Sequence, residues 1–228
     1  MATMRNQSVL GLGLALCVFA AARCVLADDL FPPTWREAPN TTFQAWEFSD
    51  DSNPAEPDDY ENPYGTPVAT ILGKFTNPRK DTWWIEEDLN FDRQGIWHIG
   101  DQMTLDIPND PTLRPLKKIR LQITYDGGLT VPEPQPWIDV EASDGAQTVD
   151  FELVNRVVLD EYYVHDTYDI VLEPNPSHET IWITPYYCQI YIDEIVVDTI
   201  CVPEPSSLLL LTLGAGALSL LLRRRTIR

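Results

Sequence analysis

The sequence predicts an all-β fold, an antiparallel β-sandwich of jelly-roll type held between two apolar terminal segments. Three observations lead there. Helical periodicity is almost absent between residues 28 and 202. Roughly eleven short runs rich in β-branched and aromatic residues are separated by Pro, Gly, Asn and Asp, the punctuation of hairpins and sandwich corners. The clearest run, residues 117–125, alternates strictly, with Ile119, Leu121, Ile123 and Tyr125 on one face and Lys118, Arg120, Gln122 and Thr124 on the other. No repeat of solenoid or propeller period accompanies these runs.

The elements follow in order. Arg5, an uncharged run over residues 9–22, and the small residues that frame Val25-Leu26-Ala27 make a secretory signal peptide, a helix over residues 1–27 with cleavage after Ala27. A lipoprotein signal is the weaker alternative, because it needs small residues before the cysteine and Arg23 precedes Cys24. Residues 28–40 are a polar, proline-rich lead-in. Residues 41–48 alternate around Phe43, Trp46 and Phe48 and predict a first strand. Residues 50–67, rich in proline and carboxylates, predict a loop long enough to be functional or mobile. Strands are expected at 68–75, 82–85, 95–99, 103–107 and 117–125, the last ending in the turn Asp126-Gly127-Gly128. Further strands are expected at 137–141, 148–154, 157–164, 167–172, 180–184 and 188–197; residues 156–165 could also be read as helix, but their β-branched and aromatic content favours strand with a bulge near Asp160-Glu161.

The last segment has three parts: Val202-Pro203-Glu204-Pro205, an uncharged leucine-rich stretch over residues 206–222, and Arg223, Arg224, Arg225 and Arg228. Crossing hydrocarbon as a helix takes about 20 apolar residues with a lower limit of about 17, so this stretch reaches across barely. The arginines stay cytoplasmic by the positive-inside rule, and the body of the protein stands outside the inner membrane. The division is therefore a signal peptide at 1–27, an acidic β-domain at 28–202 and a C-terminal signal with a transmembrane helix at 203–228.

The whole chain holds 16 basic and 35 acidic residues. Arg5 and Arg23 leave with the signal peptide, and the segment from Pro203 onward holds four arginines and Glu204. The domain between keeps 10 basic and 34 acidic residues, a net charge of −24. Such a surface repels nucleic acid and anionic membranes. Of four cysteines only Cys188 and Cys201 remain after processing. They can pair in an oxidising compartment, provided the chain between them folds back; a straight strand would hold them about 40 Å apart.

No nucleophile elbow, zinc helix or phosphate-cradling glycine motif occurs, and His98, His165 and His178 are widely spaced. Glu86-Glu87 beside Trp83-Trp84 is the nearest approach to a glycosidase carboxylate pair, but among so many carboxylates such a pair arises by chance. The sequence therefore reads as no enzyme. Two binding chemistries remain. Flat aromatic faces stack on pyranose rings, which makes Trp83 and Trp84 candidate glycan contacts. Calcium takes six to eight oxygen ligands, and Asp50 and Asp51 lie in a loop rich in them.

Two resemblances extend this reading. The tail, with Pro203, Glu204 and Pro205 before the apolar run and Arg223, Arg224 and Arg225 behind it, closely resembles the PEP-CTERM sorting signal. The resemblance implies a Gram-negative, exopolysaccharide-making host, signal peptidase and exosortase as processing partners, transient insertion in the inner membrane, and cleavage near Pro-Glu-Pro. Residues 190–197 resemble the closing strand of jelly-roll carbohydrate-binding modules, and that resemblance implies Glu47 and Asp193 as ligands of a structural calcium. The expected function is an exported surface or extracellular-matrix protein with a non-catalytic, glycan-binding sandwich, in contact with exopolysaccharide and not nucleic acid. A purely structural or adhesive surface protein is the alternative, and a secreted glycan-active enzyme stands behind it.

Overall fold

Alternation in the sequence becomes two stacked antiparallel sheets. The computed structural model describes residues 29–73, 82–88, 93–112, 114–126, 138–143, 148–186 and 190–202. Within them lie strands β1 (Thr41–Trp46), β2 (Asp59–Glu61), β3 (Val68–Leu72), β4 (Trp83–Asp88), β5 (Arg93–Ile99), β6 (Gln102–Pro108) and β7 (Leu116–Asp126). They are followed by β8 (Ile138–Ser143), β9 (Thr148–Asp150), β10 (Glu152–Val158), β11 (Tyr163–Leu172), β12 (His178–Pro185) and β13 (Ile190–Val202). The larger sheet runs β10-β11-β7-β13-β1-β2, with β5 joining β13 and β4 joining β5; the smaller runs β3-β6-β12-β8-β9. The sandwich expected from the sequence is the observed architecture.

Period two decides what faces inward. From the larger sheet come Ile119, Leu121, Ile123 and Tyr125 of β7 and Ile192, Ile195 and Val197 of β13. They meet Met103, Leu105 and Ile107 of β6 and Ile181 and Ile183 of β12. All are buried, and each aliphatic side chain so placed contributes about 1.5–3 kcal/mol. The last strand in sequence is central in space: β13 pairs with β7 on one side and β1 on the other, from Tyr191↔Asp126 to Val202↔Leu116 and from Thr41↔Ile200 to Trp46↔Ile195.

The outer face of this sheet is not left to solvent. Residues 29–38, expected only as a lead-in, fold across it through two tight turns closed by Arg36 N–H to Pro33 O and Ala38 N–H to Trp35 O. The Phe31 N–H donates to Gln122 Oε1 at 2.7 Å, and Gln122 Nε2 donates to Asp29 Oδ1 at 2.6 Å. Arg36 grips Asp198 through Nε and Nη2, at 2.5 and 2.6 Å, and contacts Asp29 with Nη1. Burial alone would weaken the Arg36 charge; the two carboxylates more than offset it and hold the guanidinium protonated. Gln122, His165 and Asp198 are buried beneath this strap, and Thr124 is buried beside His165, although alternation assigns them to the wet face.

Four expectations change in detail. Residues 157–164 do not form one strand. They contain the hairpin turn between β10 and β11, closed by Leu159 N–H to Tyr163 O at 2.9 Å. Asp160 Oδ1 accepts the N–H groups of Tyr162 and Tyr163, each at 2.8 Å, so an aspartate supplies a turn without glycine or proline. Residues 148–154 split into β9 and β10, which belong to different sheets. The loop at 50–67 holds the short strand β2 and is pinned to β3: Asn53 donates to Ile71 O and accepts from Ile71 N–H, and Ala55 bridges Ala69. Finally, β13 continues to Val202 with a bulge at Asp193 but no reversal. Cys201 is a free, buried thiol; Cys188, named as its possible disulfide partner, lies outside the described residues. So do the signal peptide, the turn glycines Gly127 and Gly128, Trp137 and the tail from Pro203 on. No helix among the described residues is long and apolar enough to cross a membrane.

Candidate functional site

Adjacent residues of a strand face opposite ways, and this separates the two tryptophans of β4. Trp84 pairs with Trp97 of β5, packs against the core, and donates its indole N–H to Phe48 O at 3.0 Å. Trp83 pairs with His98 and stays 44 % exposed. Its ring stacks on the fully buried His98 imidazole, centroids 3.5 Å apart and planes 21° apart. His98 is tilted in turn against Tyr191 of β13, 4.7 Å away. Trp83 thus presents one flat face outward while the other rests on an ordered aromatic row. Among the described tryptophans it alone is exposed. Glu86 and Glu87 are also neighbours on β4, so their side chains leave opposite faces and do not make a facing carboxylate pair.

A glycine seats this arm. Gly95 of β5 has φ +74°, and a Cβ there would lie 2.6 Å from Phe48 O and closer still to Glu47 O. Phe48 is itself left-handed, with φ 50°, and is almost fully buried. Residues 47–48 and β5 therefore meet backbone to backbone beside the Trp84 hydrogen bond.

The residues expected to hold calcium are placed otherwise. Asp193 sits at the β13 bulge, where its carboxylate pairs with the Arg93 guanidinium. Arg93 also lies 3.5 Å from Asp160 and over the Tyr163 ring, 4.2 Å from its centroid. The Glu47 N–H donates to Asp58 Oδ2, and Asp50 Oδ1 accepts the Ser52 N–H in a local turn; Asp50 and Asp51 are exposed. No group of three or more His, Cys, Asp or Glu among the described residues is arranged to hold a metal ion.

Sequence reasoning missed a buried polar network between β7, β10 and β11. Asp166 is fully buried and faces the core. Its carboxylate accepts Arg156 Nε and Nη2, each at 2.6 Å, Tyr125 OH at 2.7 Å and Tyr168 OH at 3.0 Å. The hydrogen bonds that Arg156 donates to Asp166 hold the guanidinium protonated, and burial pushes both tyrosine hydroxyls above their ordinary range. This network ties the edge strand β10 to the sheet.

At the opposite end of the domain β13 leads out of the fold. The Cys201 N–H donates to Asn40 O, and Val202 is still paired with Leu116. No spacer separates the central strand from Pro203, Glu204 and Pro205. No curated protein matches the chain. Residues 202–225 match the family model described as the PEP-CTERM protein-sorting motif. The chain therefore carries the PEP-CTERM sorting signal of an exported, exosortase-processed protein, and that signal begins where its central strand ends.

Proposed function

We propose that the β-domain is a non-catalytic module that contacts the exopolysaccharide of a Gram-negative host through the exposed face of Trp83, with the sorting tail delivering it to that surface. The observation that carries this reading is the outward-facing indole backed by His98 and Tyr191, a rigid platform of the kind that stacks on pyranose rings. An immobile ring loses little conformational freedom when a sugar covers it. The domain's net charge of −24 favours neutral or cationic polymers over anionic ones.

The test is retention of the full exported protein on the host's own polysaccharide. Trp83→Ala should weaken binding by about 1 kcal/mol, a several-fold loss. Trp84→Phe, altered on the core side of the same strand, should leave binding unchanged. Equal binding by wild type and Trp83→Ala would end the proposal. The structural or adhesive alternative has an observation of its own: the edge strand β10 exposes Val154 and Val158, and Val171 of neighbouring β11 is exposed beside it. Concentration-dependent self-association abolished by Val158→Lys would favour that reading.

A further inference from the structure

A lysine and a glutamate meet in the interior of the sandwich, where hydrophobic packing needs no charge. Lys117 enters from β7, in the inward series that continues with Ile119, Leu121 and Ile123. Glu179 enters from β12 of the opposite sheet, in series with Ile181 and Ile183. Both side chains are completely buried, and Lys117 Nζ lies 2.5 Å from Glu179 Oε1. This is contact without the alignment of a hydrogen bond, and neither Nζ nor either carboxylate oxygen has a hydrogen-bond partner among the described residues. Buried ion pairs persist when further hydrogen bonds satisfy their protons and lone pairs, as the Asp166 carboxylate shows with its four donors. The Lys117–Glu179 pair has no such support. Burial moreover pushes the Glu179 carboxyl up toward its neutral form, against the opposing charge of Lys117.

We propose that Lys117 and Glu179 form an intramolecular amide crosslink between the two sheets. In the reacting pair the ammonium passes one proton to the carboxylate, leaving an amine beside a carboxylic acid. The Nζ lone pair attacks Glu179 Cδ. The N–Cδ bond forms, the bond from Cδ to the hydroxyl oxygen breaks, and the hydroxyl departs with a second nitrogen proton as water. Nothing is oxidised or reduced, and no co-reactant enters. Two groups fixed in contact react far faster than the same groups free in solution, and a neutral amide is far less costly to bury than two charges.

The location gives the bond a purpose. Cys201, one residue before the sorting motif, is the direct cross-strand partner of Lys117. An amide here would tie the strand assembly that leads to the tail to the opposite sheet, in a protein exported from the cytoplasm. The Asn109 and Asn175 carboxamides sit at the same end, their Oδ1 atoms 3.2 and 3.4 Å from Cys201 Sγ. They are the competing acceptors, and attack on either would release ammonia instead of water. Glu179 is assigned because it is the group in contact with Nζ.

The experiment is peptide mass analysis of the full exported protein after denaturation and tryptic digestion. The expected result is one branched species containing Lys117 and Glu179, lighter than the two peptides together by one water. It should vanish in the double variant Lys117→Met, Glu179→Leu, which keeps the interior filled. Separate peptides at their sequence masses would overturn the proposal, and so would a branched species lighter by ammonia with an asparagine as acceptor. If the double variant fails to fold, the wild-type masses decide alone.

Discussion

Asp166→Ala should destabilise the domain by about 3–5 kcal/mol, the range seen when one partner of a buried charge pair is removed. The carboxylate it removes is fully buried and receives both Arg156 nitrogens and the hydroxyls of Tyr125 and Tyr168. Without it the guanidinium, itself mostly covered, has lost its counter-ion, and two buried hydroxyls have lost their acceptor. For a domain of this size the loss lowers the melting midpoint by about 10 °C. Asp166→Asn retains shape and acceptor oxygen but not charge, and should fall between the two. Thermal and urea unfolding monitored by far-UV circular dichroism measure this. An Asp166→Ala midpoint within about 2 °C of wild type, an effect below 1 kcal/mol, would mean that the network contributes nothing to holding β10.

Gly95→Ala should cost about 3 kcal/mol or more, although it adds a single methyl group. Part of the cost is conformational, because alanine at φ +74° pays about 1–2 kcal/mol that glycine does not. The rest is collision with the carbonyl oxygens of Glu47 and Phe48, which are backbone atoms and cannot rotate aside. β5 would have to draw away from residues 47–48, and the hydrogen bond from Trp84 to Phe48 O would loosen with it. The change should therefore appear in near-UV circular dichroism, where tryptophan packing is read, as well as in the unfolding midpoint. Wild-type stability in Gly95→Ala would contradict the close approach.

How much of this was legible from the chain depends on which force set each element. β7 was readable because its alternation is strict over nine residues and its apolar face meets the core. Lys117 falls on that same apolar parity, so its burial was available to a stricter reading; its partner Glu179 was not, because two sheets decide which residues face one another. The hairpin at Asp160 was missed because its turn is made by a side chain accepting two N–H groups, without glycine or proline. β13 ran past its expected end because Asp198 looks like a solvent residue and is covered by Arg36 from the lead-in. The Asp193–Arg93 pair was not legible: the β13 bulge turns Asp193 to Arg93, and neither the bulge nor that contact leaves a periodic signature. The tail was legible because its signal is linear: motif, apolar run and arginines follow one another without help from tertiary structure.

That tail is the centre of the account, and the end of β13 limits where it can be cut. Val202 is still hydrogen-bonded in the sheet, so cleavage that leaves the domain intact falls beyond it. The direct measurement is the C-terminal peptide of the protein recovered from the host's surface fraction. The expected result is a mature chain ending close to Pro203–Pro205, with residues 206–228 absent. Recovery of surface protein that still carries Arg223, Arg224 and Arg225 would contradict it.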